Sequence, residues 1–158
     1  GTVTTISKAS LEKVFEISEL STVDYSYNAV ARAYEEDGVT PKYYVAYEGT
    51  VTAGIDFSKI MIDIDEDTKI ITITLPESEI QNTMVDFGSM DYIFENKKYE
   101  TETVSQEAYE LCKTDLARRA AKENDLMTLA KENAVTAVEA LVDPWVQQID
   151  GEYKVNIK

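Results

Sequence analysis

The stretch from Tyr43 to Pro76 constrains the fold more than any other part of the chain. Three runs rich in β-branched and aromatic residues, 43–53, 57–64 and 69–75, are separated by two short polar breaks, Gly54-Ile55-Asp56 and Asp65-Glu66-Asp67-Thr68. Strand-forming runs joined by connections this short turn back on themselves, so the spacing predicts an antiparallel meander. Tyr43, Val45, Tyr47, Gly49, Val51 and Ala53 fall on one face of the first run, and Ile60, Ile62 and Ile64 on one face of the second. Gly49 inside a strand predicts a bulge or a close packing neighbour. Pro76 ends the third run because it can donate no ladder hydrogen bond.

The flanks carry different periods. Ser7 precedes Leu11, Val14, Phe15 and Ile17 at helical spacing, which predicts a short capped helix over 7–17. Val23, Tyr25, Tyr27, Ala29, Ala31 and Ala33 then alternate with more polar residues, a long half-buried strand, and Asp37-Gly38 marks the turn after it. Residues 77–100 are irregular, with one more short strand or arm around Met90–Phe94. From Ser105 the period is helical. Ala108, Leu111, Cys112, Leu116 and Ala120 form one stripe, and Leu126, Leu129, Ala130, Ala134, Ala137, Val138 and Leu141 another. Asn124-Asp125 between them reads as a cap or kink, giving one bent helix or two. Asp143-Pro144 predicts a helix end or fresh turn anchored by Trp145, and Tyr153–Ile157 alternates as an edge strand. The sum is an α+β fold: an antiparallel β-meander of four or five strands, with a short N-terminal helix and a long C-terminal helical segment packed on one face. A chain of 158 residues fits a single globular domain, 1–158, with a core large enough to need no disulfide or structural metal.

Charge narrows the partners. The formal net charge is -15, with a pI near 4.3 and a mean hydropathy of -0.29. Residues 1–104 hold 20 acidic against 8 basic residues, and residues 105–158 hold 10 against 7, so the acid belongs to the strand-rich part. Such a surface repels nucleic-acid phosphates and anionic membranes, and it suppresses edge-to-edge pairing of strands. The single cysteine, Cys112, forms no intramolecular disulfide, and its place on an apolar stripe reads as a buried inert thiol. No apolar run approaches the ~20 residues of a membrane span, and no secretory signal core is present. Gly1 ahead of a polar stretch reads as a tag-cleavage scar, which leaves a natural leader or anchor upstream, and with it the localisation, open.

Chemistry narrows further. The chain has no histidine, which removes Ser-His-Asp and Cys-His triads, the His-Glu-x-x-His zinc site and the commonest neutral-pH base. One cysteine cannot build a thiolate zinc site. Gly49 and Gly54 have phosphate-loop separation, but Ile55-Asp56 stands where Lys and Ser/Thr must follow. The three arginines, Arg32, Arg118 and Arg119, leave little for bidentate anion capture. Asp63, Asp65 and Asp67 alternate as in a calcium loop, yet Thr68 replaces the loop glycine and Thr74 the bidentate glutamate, so a solvated hairpin turn is the better reading. Paired-carboxylate hydrolysis through Glu48 and Asp56 is the surviving catalytic option, against Asp56 simply capping its turn. The 10 tyrosines, several on the first two strands, read as core and edge packing ahead of a stacking platform for a sugar or peptide.

The pattern Tyr47-x-Gly49-x-Val51-x-Ala53-Gly54-Ile55-Asp56, followed by Lys59-Ile60 and Ile70 to Pro76, resembles the bacterial family of domain of unknown function 4230 (DUF4230). Glu19-Leu20-Ser21-Thr22 before a tyrosine-bearing strand and the alanine-rich C-terminal helix are similar to that family as well. The resemblance covers nearly the whole chain and is weakest over 77–100. It implies a single globular domain behind an N-terminal membrane-spanning or signal segment, presented outside the cytoplasm. It brings no established activity, cofactor or catalytic residue. The family motif residues Tyr47, Gly49, Gly54, Asp56 and Pro76 read as structural punctuation. The expected function is therefore a non-enzymatic, envelope-tethered extracytoplasmic interaction or binding domain with a protein or cell-wall partner, no nucleic-acid partner and no cofactor. The alternatives are a metal-independent hydrolase using paired carboxylates, or a calcium-dependent binding module.

Overall fold

The computed structural model describes residues 5–16 and 22–158. The Glu19-Leu20-Ser21 part of the family pattern and Ile17 lie outside the described residues. In chain order the elements are α1 (Lys8–Glu16), β1 (Thr22–Tyr34), β2 (Pro41–Gly54), β3 (Met61–Asp65), β4 (Ile70–Thr74), β5 (Glu79–Val85), β6 (Asp91–Phe94), α2 (Val104–Ala120), α3 (Asn124–Ile149) and β7 (Lys154–Ile157). The class is α+β with a long C-terminal helix, as the sequence predicts. The strands fall on two sheets, and the chain divides into two compact units. One unit takes the described residues up to Val23 with Ala53–Glu79 and Asp125–Lys158; the other takes Asp24–Thr52 and Ile80–Asn124.

In the first unit β3 and β4 form an antiparallel hairpin, Met61 opposite Thr74 through Asp65 opposite Ile70. Strand β7 adds to the other side of β4 in parallel, Ile70 opposite Lys154 through Ile73 opposite Ile157. Alternation puts Ile71 and Ile73 inward, where Ala134, Val138, Val142 and Val146 of α3 meet them, with Leu11 and Phe15 of α1. That four-residue spacing is one helical stripe, and each fully buried Ile or Val contributes about 1.5–3 kcal/mol by leaving water. The start of α1 is fixed by two serines: the Ser10 amide donates to Ser7 Oγ at 3.1 Å and the Ser7 amide to Ser10 Oγ at 2.8 Å, a reciprocal cap.

In the second unit β2 is the central strand, paired with β1, β5 and β6, with Tyr43 opposite Phe94 and Ala46 opposite Asp91 in the β6 register. Helix α2 buries Val104, Ala108, Cys112, Leu116 and Ala120. Gly49 is the contact that lets it approach: a Cβ there would lie 2.8 Å from Leu116 Cδ2 and 3.2 Å from the Met84 carbonyl oxygen. The close-neighbour reading of Gly49 is therefore the one realised.

Three local differences have physical causes. The run 43–64 does not fold back within one sheet, because Phe57–Lys59 forms a 3-10 turn capped by Asp56 that takes the chain out of the ladder. The irregular stretch 77–100 supplies two strands, β5 and β6, both of which pair with β2. Pro144 does not end a helix; α3 runs through it to Ile149. Buried Val142 and Val146 on either side keep that turn in the core, and the half-buried Trp145 packs on the same cluster, which offsets the missing proline N–H.

Candidate functional site

Asp115 is the one buried charged residue among the described residues, 3% exposed. It sits on the inward stripe of α2 between Cys112 and Leu116. Helical spacing brings the next two arginines onto it: Arg118 at i+3 donates through Nη2 to Oδ1 at 2.5 Å, and Arg119 at i+4 donates through Nε to Oδ2 at 2.8 Å. The Tyr47 hydroxyl, directed inward by the alternation of β2, donates to Oδ2 at 2.6 Å. Arg119 reaches on through Nη2 to the Val30 carbonyl of β1 at 3.2 Å. A side chain of β2, two turns of α2 and the backbone of β1 are thus joined through one carboxylate.

The electrostatics follow from that geometry. Burial by itself raises the Asp115 carboxyl, but hydrogen bonds from Tyr47 and Arg119 and the charges of both arginines outweigh it and hold the group below its ordinary range. Burial and the hydrogen bond to Asp115 push the Tyr47 hydroxyl up. Burial and the nearby Asp115 charge push the Cys112 thiol up to about 11, which leaves it protonated and unreactive at neutral pH.

Beside this cluster lies a recess of about 340 Å³. All three arginines of the chain line it, Arg32 from β1 and Arg118 and Arg119 from α2, together with Thr114, Tyr34 and Asp115. Val30 and Leu111 give it an apolar wall. The Arg32 guanidinium lies over the Tyr44 ring, 5.8 Å from its centroid, and makes no ion pair among the described residues. Two guanidiniums, those of Arg118 and Arg119, therefore meet the Asp115 carboxylate, while Arg32 lines the recess with its own guanidinium stacked over Tyr44.

The residues singled out from the sequence lie as follows. Tyr47 belongs to the Asp115 cluster, and Gly49 admits Leu116 against β2. Gly54 is the buried last residue of β2. Asp56 caps the 3-10 turn, accepting from Ser58 N at 3.0 Å and Ser58 Oγ at 2.6 Å, bonds that hold its carboxyl below the ordinary range. Pro76 follows β4 and its carbonyl accepts from Lys131 Nζ at 2.9 Å, as does that of Leu75 at 3.0 Å. Glu48 is exposed on β2 in the second unit while Asp56 belongs to the first, so neither unit pairs them. In the calcium-like stretch, Asp65 is occupied as a turn cap, accepting from the Thr68 amide at 3.1 Å and the Asp67 amide at 3.0 Å. Among the described residues no three His, Cys, Asp or Glu side chains are grouped to hold a metal ion. Tyr43 and Tyr47 are core, whereas Tyr25 and Tyr34 stand 45% and 42% exposed.

Asp115 and its arginines were not visible as a site in the sequence reading. The signal was present: Asp115 occupies an inward position of the α2 stripe, and Asp-Leu-Ala-Arg-Arg places two cations at i+3 and i+4. An acid on an apolar face with two helical partners is an address for a buried ion pair.

Fold and site together define an α+β chain with two sheets and an arginine-lined recess in one of its two units. The profile of the family described as "Protein of unknown function (DUF4230)" matches residues 12–157, and the chain belongs to that family. No curated protein and no solved structure matches it. No helix among the described residues is long and apolar enough to cross a membrane.

Proposed function

We propose that this chain is a non-enzymatic binding domain, carried outside the cytoplasm on an N-terminal anchor. The observation that carries the reading is the direction in which the buried titratable groups are shifted. Catalysis near neutral pH needs an acid or base brought toward pH 7. Here every shift runs the other way: Asp115 is held low, Cys112 is raised to about 11, Tyr27 to about 12 by burial and the neighbouring Glu123, and Tyr43 and Tyr47 upward. At neutral pH the acid is ionised and the thiol and phenols are neutral, which favours recognition and structure over proton transfer as their role. The extracytoplasmic placement rests on the family resemblance, and the acidic surface supports it only by disfavouring nucleic acid as a partner.

A thermal-unfolding panel tests the reading with peptides, cell-wall sugars, divalent cations and small anionic metabolites. A ligand at ~100 times its Kd adds about 2.7 kcal/mol, a rise of several degrees in a single unit of this size. One saturable hit with no turnover is the expected result. Hydrolysis of a panel substrate that disappears in folded Glu48→Gln or Asp56→Asn protein would overturn it.

A further inference from the structure

We propose that the recess lined by Arg32, Arg118 and Arg119 binds a small ligand through an oxyanion group, a carboxylate or a phosphate. The inference deepens the binding-domain reading and rests on it. Its starting point is charge that the fold does not consume. Asp115 needs one cation for neutrality and has two, Arg118 and Arg119, while Arg32 has no carboxylate partner among the described residues. One of the two arginines on Asp115, and Arg32 over the Tyr44 ring, are therefore left without a carboxylate of their own among the described residues that line the recess. Placing all three arginines there, while lysine supplies the other basic positions, favours a site that needs the guanidinium fork rather than a point charge.

The fork is held ready. Asp115 fixes Nε of Arg119 and one Nη of Arg118, and the Val30 carbonyl fixes the other end of Arg119. The remaining N–H groups of both arginines stay on solvent-reaching side chains, 61% exposed for Arg118 and 43% for Arg119. A carboxylate or phosphate matches such planar donors two at a time. Thr114 and Tyr34 add hydroxyls on the rim, and Val30 and Leu111 offer contact for a short apolar body. At about 340 Å³ the space is at the small end of ligand pockets, which points to a metabolite-sized anion or the charged end of a longer chain.

The test is isothermal titration of the full chain with succinate and, separately, with inorganic phosphate. Saturable one-site binding of one or both is expected, and which arm responds assigns the oxyanion. Arg32→Gln, which breaks no ion pair and leaves the Asp115 cluster whole, should weaken binding by about tenfold or more, with the unfolding temperature lowered only slightly by loss of the contact over the Tyr44 ring. Lys97→Gln removes the same charge from outside the recess and should leave the affinity unchanged. Equal weakening by the two variants would reduce the effect to net charge and overturn the proposal. So would the absence of saturable binding up to ~10 mM of either anion, weaker than any affinity a built site would show. If both anions fail while the thermal panel finds another ligand, this assignment falls and the binding-domain reading stands; turnover lost in the Glu48 or Asp56 variants would bring down that reading instead.

Discussion

A buried carboxylate that loses a donor is left with an unsatisfied lone pair in low dielectric, and Tyr47 is the donor that can be removed most cleanly. Tyr47→Phe should cost about 1–3 kcal/mol, read by urea unfolding. Asp115→Ala removes the charge that three groups converge on. Its cost should stay below the ~3–5 kcal/mol of breaking a fully buried pair, because both arginines still reach water. Gly49→Ala would force a Cβ to within 2.8 Å of Leu116 Cδ2 and 3.2 Å of a backbone oxygen; the overpacking should cost about 1–3 kcal/mol. At this scale the sequence was legible for Gly49 and Asp56, whose neighbours are local or follow from strand alternation. For Asp115 the spacing carries the arginine pairs but not the Tyr47 donor, which lies 68 residues away and reaches the acid only in the packed fold.

Elements were legible wherever a long period ran unbroken. The Ala130, Ala134 and Val138 stripe of α3 and the Ile71 and Ile73 face of β4 are both core. Leu129, read as part of the α3 stripe, is 45% exposed instead. Pro144 misled for a specific reason: local propensity argues for an end, while the continuing stripe of Val142 and Val146 argues against one, and burial wins. That conflict is testable. Since an interior proline is about 3 kcal/mol less favourable than alanine, Pro144→Ala should stabilise the protein by up to that amount in chemical denaturation. Strand pairing was the least legible element property. Alternation tells which face of β2 is buried but not which strands lie beside it, so neither the split into two sheets nor the parallel β4–β7 pair could be read from period alone.

For the molecule as a whole, the absence of histidine and the directions of the shifted groups set the pH response. The carboxyls of Asp37, Asp56, Asp65, Asp115 and Asp150 are all held low by their hydrogen bonds or ion pairs. A depressed carboxyl stabilises the fold above the unfolded value of about 3.9, and that contribution disappears as pH falls below it. Cys112, at about 11, and Tyr27, at about 12, are raised. Unfolded thiols and phenols ionise near 8.5 and 10, so stability begins to fall above about pH 8.5 and falls further above about 10. With no histidine in the chain, and none of these shifted groups changing its charge between, the unfolding temperature should be flat from about pH 5 to about pH 7.5. A step near pH 6.5 would contradict this, since the chain has no histidine to produce it.

The arginine recess of the second unit is the proposed place where this chain meets its ligand. It is tested most directly by following backbone amide resonances of the labelled chain as succinate or inorganic phosphate is added. Saturable shifts concentrated at Val30–Tyr34 and Leu111–Arg119 are predicted. Saturable shifts concentrated elsewhere, or none in that recess, would contradict it.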